Sequence, residues 1–430
     1  MTEGEARKRV LILGTGTAGI RAALELNKTS ARVCGLEVTL VDHREYHHPL
    51  PFIWHVVSGS LEPRRIVFPL PVLLGKGGRE GAVEFRRGRV ENIDVDRKVV
   101  SIDNGELEWD YLVVALGSTT NYFGMADAEE NSLPFRSLGD AVSIHNQILD
   151  NYEAASRERD EERQRELLTF VVVGGGPSGI ELAAAMQDFM SKALARKHSA
   201  LAPKARLLLV EAQEALLSGF RPKMSELAMR RLRARGIHLL LGTRITGIRP
   251  GGIETADGQT IPSRAVIWAA GVKPVPSVAS LPFQKAKDGR VLVNQYLEVP
   301  DAPGVYVIGD CAYLLQRGGS RPYPPTHQVA ERQGPACARN IMNAMGGKGQ
   351  RAFRYRFKGQ VIYMGRNLAV VELGDLVFDG FTAALLRRVF YLWRFVSYLG
   401  LPTELRRKLG AVRKWIPAYF YRRNTAYLHE

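Results

Sequence analysis

The chain opens on a charged lead, MTEGEARKR, and passes at once into the apolar block Val10–Leu13. A short apolar run closed by glycine predicts a buried strand. Behind it, IRAALELN repeats its apolar positions at helical spacing, and EVTLVD follows as a second strand ending at Asp42. The same succession returns far downstream. TFVVV at 169–173 predicts a strand, IELAAAMQDFM a helix, and ARLLLVE a strand ending at Glu211. ARKHSALAPK at 195–204 interrupts that second helix–strand connection as an insertion. Three further apolar runs, DYLVVALGS (110–118), AVIWAAGVKP (265–274) and GVYVIGDCA (304–312), each end in small residues. Strand–helix–strand units of this kind predict an α/β protein with parallel sheets, built as two Rossmann-like domains. ASRERDEERQRELL (155–168) alternates charge sign at helical spacing and predicts one solvated helix joining them.

Between each first strand and its helix stands a glycine-rich turn. The first reads Gly14-Thr15-Gly16-Thr17-Ala18-Gly19, the second Gly174-Gly175-Gly176-Pro177-Ser178-Gly179. In such a turn the first glycine permits the tight bend, the second lets a pyrophosphate approach the backbone, and the third lets helix and strand pack closely. The helix N-terminus adds free N–H groups and the positive end of its dipole. Asp42 stands 23 residues after Gly19, where a carboxylate can hold ribose hydroxyls. Glu211 stands 32 residues after Gly179, the excess being the insertion. No basic residue follows Glu211 closely, which favours NADH over NADPH because the extra phosphate would meet a like charge. Two fingerprints imply two dinucleotides, and hydride transfer from a nicotinamide to a flavin is the economical use of such a pair.

Composition narrows the partners. The 430 residues carry 59 Lys and Arg against 44 Asp and Glu, a net charge of +15. From Phe381 to Glu430 there are ten basic and two acidic residues, so this end holds eight of the fifteen excess charges. An anionic partner is implied, and with no nucleic-acid-binding module in the sequence a membrane surface is favoured over nucleic acid. Cys34, Cys311 and Cys337 form no CxxC and no disulfide framework, which suits a reducing cytoplasm. His47, His48 and His55 have no acid or cysteine at ligand spacing, so no metal site is expected. Neither a leader peptide nor a membrane span of ~18 apolar residues is legible.

This ordered set of segments resembles the two-dinucleotide-binding-domain flavoproteins over roughly residues 9–375. The resemblance implies that the first fingerprint (Gly14, Gly16, Thr17, Ala18, Gly19) with Asp42 binds the ADP half of FAD. It implies that Ala115, Gly117, Gly309 and Asp310 lie along the flavin, and that Gly174, Gly176, Pro177, Ser178, Gly179, Glu211 and Gly271 hold NADH as substrate. The implied domains are an FAD-binding part at 1–130, an NADH-binding domain with a helical lead-in at 131–290, a second FAD-binding part at 291–380, and a tail at 381–430. Two segments are more specific. DHREYHHPLPFIWHVVSG (42–59) and PPTHQVAERQG (324–334) resemble type II NADH:quinone oxidoreductases. In the first, Asp42, Tyr46-His47, Pro51 and Gly59 match that family. Its Ala-Gln-x-Ala-x-Gln motif is matched by Gln328 and Ala330, while His327 and Arg332 depart from it. Gln328 and Arg332 fall one helical turn apart and are expected on the acceptor side of the flavin. Glu181 stands where the family keeps an acid near the nicotinamide.

The tail completes the expectation. Arg387, Arg388 and Arg394 interrupt the apolar run from Phe381 to Leu401, and burying them in hydrocarbon would cost roughly 7–10 kcal/mol. After Pro402, Leu405, Leu409, Val412 and Ile416 form one stripe beside Arg406, Arg407, Arg413 and Lys414. That pattern predicts an amphipathic helix lying on an anionic membrane, or packing on a second copy of the chain as a homodimer. The expectation is a peripheral enzyme on the cytoplasmic face of the cell membrane, passing two electrons from NADH through FAD to a quinone without pumping protons. A sulfide:quinone or other quinone reductase, and a membrane-attached FAD/NADH redox sensor, remain open alternatives.

Overall fold

In the computed structural model, residues 7–30, 35–75, 83–398 and 425–429 are described. Strand β1 (Lys8–Leu13), helix α1 (Thr17–Ser30) and strand β2 (Leu36–Asp42) form the first strand–helix–strand unit. A one-turn helix α2 (Trp54–Val57) follows, then strands β3 (Glu84–Arg87) and β4 (Tyr111–Val114). Two helices come next, α3 (Leu138–Arg157) and α4 (Glu161–Leu167). The second unit runs through β5 (Thr169–Val173), α5 (Pro177–Phe189), β6 (Arg206–Val210), β7 (Ile237–Leu240) and β8 (Ala265–Trp268). Strand β9 (Val305–Val307) and helix α6 (His327–Met345) lead to a meander of β10 (Gln360–Gly365), β11 (Leu368–Leu373) and β12 (Leu376–Gly380). Helix α7 (Phe381–Tyr398) ends the series.

The chain divides into two compact units, each made of three segments. One comprises Met1–Pro49, Val67–Thr119 and Val272–Arg356; the other comprises Leu50–Ile66, Thr120–Gly271 and Phe357–Glu430. These lines differ from divisions at 130, 290 and 380. The break near 271 falls directly after β8, and the 50–66 excursion and the meander belong with the second unit.

In the first unit five parallel strands lie in the order β9-β4-β1-β2-β3. The second unit repeats the order as a two-residue edge strand Leu133–Pro134, then β8-β5-β6-β7, again all parallel. In each, the strand that carries the fingerprint is central, and its Val10–Leu13 or Phe170–Val173 stretch is buried, which is why that stretch reads as an uninterrupted apolar block. The meander is antiparallel, and α7 lays Ala383 and Ala384 against Ala369 and Val371.

The charged segment 155–168 is two helices rather than one. Helix α3 ends at Arg157, and the Asp160 side chain accepts from the N–H groups of Glu162 and Arg163 to start α4. Asp160 serves better as an N-cap than as one more residue of a charged run. The expected insertion begins later than its sequence suggested, since α5 passes through one wider π turn at Met190–Leu194 and continues to Lys197. The expected amphipathic helix at 402–416 and Cys34 lie outside the described residues.

Candidate functional site

In each fingerprint turn the first and last glycines are shaped by their own neighbours. Gly14 has φ +101°, and a Cβ there would stand 2.5 Å from the Ala115 carbonyl oxygen. A Cβ on Gly19 would stand 1.9 Å from the Gly14 oxygen, where α1 crosses β1. Gly16 is different, its nearest neighbour being 3.9 Å away. In the second unit, Gly174 (φ +111°) abuts Ala270 at 2.9 Å, Gly179 meets the Gly174 oxygen at 1.9 Å, and Gly176 has nothing within 4 Å. Gly14 and Gly174 are demanded by the backbone at the end of the neighbouring strand and Gly19 and Gly179 by strand–helix packing, whereas the middle ones leave room at the N-termini of α1 and α5. A phosphate fits such a place.

A carboxylate latches each turn. Asp42 accepts from the Thr15 N–H and hydroxyl, both at 2.8 Å, and from the Arg44 N–H at 3.0 Å. Burial alone would raise the Asp42 carboxyl, but hydrogen bonds from His43, Arg44 and Thr15 hold it well below the usual carboxylate range. His47 is buried and places Nδ1 2.8 Å from the Thr15 carbonyl. That acceptor needs a donor, so Nδ1 carries the proton, and burial lowers the imidazole to about 4 and keeps it neutral. Glu211 repeats the latch, accepting from the Gly175 N–H at 2.6 Å and the Gln213 N–H at 2.9 Å.

The rest of the first cradle comes from distant segments. Thr17 Oγ1 lies 2.9 Å from His327 Nδ1, and the would-be Cβ of Gly309 (φ +76°) lies 3.2 Å from the Ala18 Cβ. The Gly309 N–H donates to Gln333 Oε1 at 2.7 Å, and the Ser118 hydroxyl donates to Asp310 at 2.6 Å. Gly117 (φ +77°) faces open space, while its N–H reaches Cys311 Sγ at 3.0 Å. Burial pushes the Cys311 thiol up to about 12, so it stays protonated and packs. Burial raises the Cys337 thiol too.

On α6, Gln328 accepts from the Tyr355 hydroxyl at 2.8 Å, while Arg332 is exposed. The buried polar residue on this helix that reaches the Gly309 turn is Gln333. It sits among buried Val329, Ala330 and Cys337, and a glutamine inside an apolar stripe is the signal that would have singled it out.

In the second unit Pro177 occupies the first turn of α5, Ser178 is exposed beside it, and Gly271 (φ +76°) lies under the Phe123 ring. Glu181, one turn into α5, accepts from the Tyr363 N–H at 3.0 Å. It keeps some accessible surface, yet protein crowds its carboxyl. That desolvation raises it to about 7, against the Tyr363 N–H, the Arg387 charge and the Tyr391 hydroxyl. No group of His, Cys, Asp and Glu among the described residues could hold a metal ion.

Known proteins fit this geometry. The chain is 29% identical over 388 residues to the type II NADH:quinone oxidoreductase of Staphylococcus aureus (strain MSSA476), covering 89% of this chain and 94% of that one. It is 28% identical over 454 residues to the mitochondrial internal alternative NAD(P)H-ubiquinone oxidoreductase A1 of Solanum tuberosum, covering 98% and 88%. Among solved structures, NDH2 from Plasmodium falciparum in complex with NADH shares the fold with a TM-score of 0.85 at 18% identity, covering 98% of this chain and 100% of that one. The sulfide:quinone oxidoreductase of Aquifex aeolicus does so with 0.73 at 20%, covering 91% of each. The pyridine nucleotide-disulphide oxidoreductase model matches residues 8–334, three quarters of the sequence and both latched fingerprints, and the chain belongs to that family.

Proposed function

We propose that this protein is an FAD-dependent oxidoreductase that passes two electrons from NADH to a quinone and pumps no protons. The observation that carries the reading is the pair of latched turns, each with a middle glycine that its own chain leaves uncovered. The relatives named as an NADH:quinone and an NAD(P)H-ubiquinone oxidoreductase match nearly the whole chain, which supports a nicotinamide donor and a quinone acceptor.

Gly14, Gly16, Thr17, Ala18 and Gly19 would hold the FAD pyrophosphate, Asp42 its ribose, and Ala115, Gly117, Gly309 and Asp310 the flavin end. When bound, the flavin accepts a hydride and releases electrons to the acceptor. Gly174, Gly176, Pro177, Ser178, Gly179 and Gly271 would bind NADH, with Glu211 on the ribose and against a 2′-phosphate. Glu181 is the acid of the site, and Gln328 with Arg332 serves the acceptor side. Cys311, protonated and buried, leaves no thiol relay in this scheme and weighs against sulfide as donor.

Quinones live in the bilayer, so the enzyme must reach one. No described helix is long and apolar enough to cross a membrane. Helix α7 exposes Phe381 (61%), Leu385 (50%) and Val389 (59%) at helical spacing, and Leu376 (69%) stands on the neighbouring meander. That apolar stripe, with the basic residues beyond it, supports peripheral contact with an anionic membrane, on the cytoplasmic face; pairing with a second copy is its competitor. The test is direct. Purified protein should be yellow, bleach with NADH but not with sulfide, and recover its colour on adding a short-chain quinone. Bleaching by sulfide alone, or NADH bleaching with no recovery by quinone, overturns the reading.

A further inference from the structure

Phe123, in the second unit, combines two features that seldom coincide. Its φ is +53°, and its side chain is 64% exposed. A bare apolar side chain is common by itself, but a bulky residue at positive φ is costly and persists only where its surroundings fix it. Three other non-glycine residues among the described ones share a positive φ. Leu217 and Leu297 are buried, and Lys98 sets its ammonium over the Trp109 ring, 5.8 Å from the centroid. In Phe123 the strained backbone instead holds an aromatic ring in the open.

Asn121 and Trp268 do the fixing. The Phe123 N–H donates to Asn121 Oδ1 at 2.9 Å, and Gly124 follows at φ +83°. The Asn121 N–H donates to the Gly271 oxygen at 3.3 Å. The buried Trp268 indole donates to the Asn121 oxygen at 3.0 Å and to the Ala270 oxygen at 2.9 Å. Residues 121–124 are thereby tied across the end of β8, and the ring rests on Gly271, where a Cβ would stand 2.6 Å from Phe123 Cζ. Ala270, one residue earlier, is what a Cβ on Gly174 of the second fingerprint would strike, at 2.9 Å. The ring therefore stands at the rim of that cradle.

Strand order says which end of the ligand meets it. Neighbouring strands run β8-β5-β6, all parallel, so their carboxyl ends line up. A dinucleotide lies across such ends. In the reading above Glu211, directly after β6, holds the adenosine ribose, and the turn after β5 takes the pyrophosphate. The nicotinamide half is left for the end of β8, where Gly271 and Phe123 sit.

We propose that Phe123 is a substrate-binding residue whose exposed ring is a platform for the nicotinamide of NADH. This rests on the NADH reading of the second cradle. A ring–ring contact covers apolar surface on both partners and is directional, offset-stacked or edge-to-face. A platform fixed before the ligand arrives loses little freedom on binding, which gives the strained turn its use. It also discriminates, since a nucleotide that ends at the second ribose gains nothing from it.

The test measures the binding of two probes to full-length, flavin-loaded protein by calorimetry. NAD+ carries the nicotinamide and leaves oxidised flavin unreduced, whereas ADP-ribose lacks that ring. Phe123→Ala should weaken NAD+ binding about tenfold and ADP-ribose binding by less than about twofold. Phe123→Tyr should restore NAD+ binding. Phe123→Gly, which removes the ring and the strain together, should bind NAD+ as poorly as Phe123→Ala. Equal weakening of both probes in folded, yellow variants overturns the proposal. So does NAD+ binding that is unchanged, or tighter, once the ring is gone. Wild type that binds NAD+ but passes no electrons to quinone would instead remove the function proposed above, and the ratio of the two affinities would still decide the role of Phe123.

Discussion

The two fingerprint turns are built alike and secured differently. Both sit on the central strand of a parallel sheet of the same order, and both press their third glycine against the oxygen of their first. Both are latched by a carboxylate that takes one N–H from the turn and one from two residues beyond itself. The first latch goes further. Thr15 adds its hydroxyl to Asp42, and His47 holds the Thr15 carbonyl, so every polar atom of that residue is committed within a buried site. Among the described residues Glu211 holds two N–H groups, and it remains partly exposed. A site fixed at every atom suits a group retained through turnover, because the ordering has been done before the ligand arrives. A looser, wetter site suits a substrate that must leave.

The sharpest way to break that comparison is to fill the two middle glycines. Gly16→Val should give folded protein with almost no flavin, read from the ratio of visible to ultraviolet absorbance. Gly176→Val should stay yellow while its KM for NADH rises by roughly a hundredfold, the size expected when a side chain displaces a phosphate. Full flavin content in Gly16→Val would show that the first turn has been assigned wrongly. Gly14→Ala is the contrast, since its Cβ would strike the Ala115 oxygen and should cost the fold itself.

Next in size is an effect confined to the first turn. His47 is held neutral at about 4 when folded, against 6.5 for an ordinary histidine. As pH falls below 6.5 the unfolded chain takes a proton that the folded chain refuses, so stability is complete above 6.5 and is lost progressively towards 4. The loss should approach roughly 3 kcal/mol, and His47→Gln, which can still donate to Thr15, should flatten it. Urea denaturation at pH 7 and pH 4.5 measures this. Equal losses in both proteins would assign the effect to another group.

Smaller effects sharpen the comparison residue by residue. Gln333→Leu leaves the Gly309 N–H without its acceptor and should cost about 1–3 kcal/mol, with weakened flavin retention. Arg332→Ala should leave flavin retention unchanged, and Gln328→Phe should slow reoxidation by quinone with little effect on reduction by NADH. Stopped-flow traces separate the two steps, and a slowed reductive step would count against placing Gln328 on the acceptor side. Last, Glu211→Ala should weaken NADH binding and narrow the preference over NADPH by roughly tenfold, about 1.4 kcal/mol. An unchanged ratio of the two kcat/KM values would remove Glu211 from the ribose.

Much of this was written in local pattern. Val10–Leu13 and Phe170–Val173 are apolar throughout because each is covered on both faces, so the apolar pattern alone places two buried central strands. Gly19 and Gly179 obey a contact between a strand and the helix that follows it, over a span of six residues, and such contacts leave a fixed spacing in the sequence; Gly14 and Gly174 begin that spacing in a turn that needs a positive φ. Asp42 and Glu211 were legible for the same reason, as ends of the next strand.

What the sequence did not show is in one place a local competition and elsewhere a matter of residues far apart along the chain. Asp160 begins a new helix because its side chain captures two N–H groups, a competition that charge pattern does not reveal. Gln333 rather than Arg332 reaches the Gly309 turn because helix rotation is set by packing against α1, and one residue is 100° of that rotation. Arg387 read as one more cation of a basic tail. Only the folding of Trp54, Tyr363 and Tyr391 around it turned a surface-type residue into a buried charge. The sequence by itself determined the central strands and the two glycine-rich turns, since these follow from neighbours along the chain. Tertiary structure decided which polar groups lost their water, and that loss, rather than residue type, sets the chemistry of His47, Cys311 and Glu181.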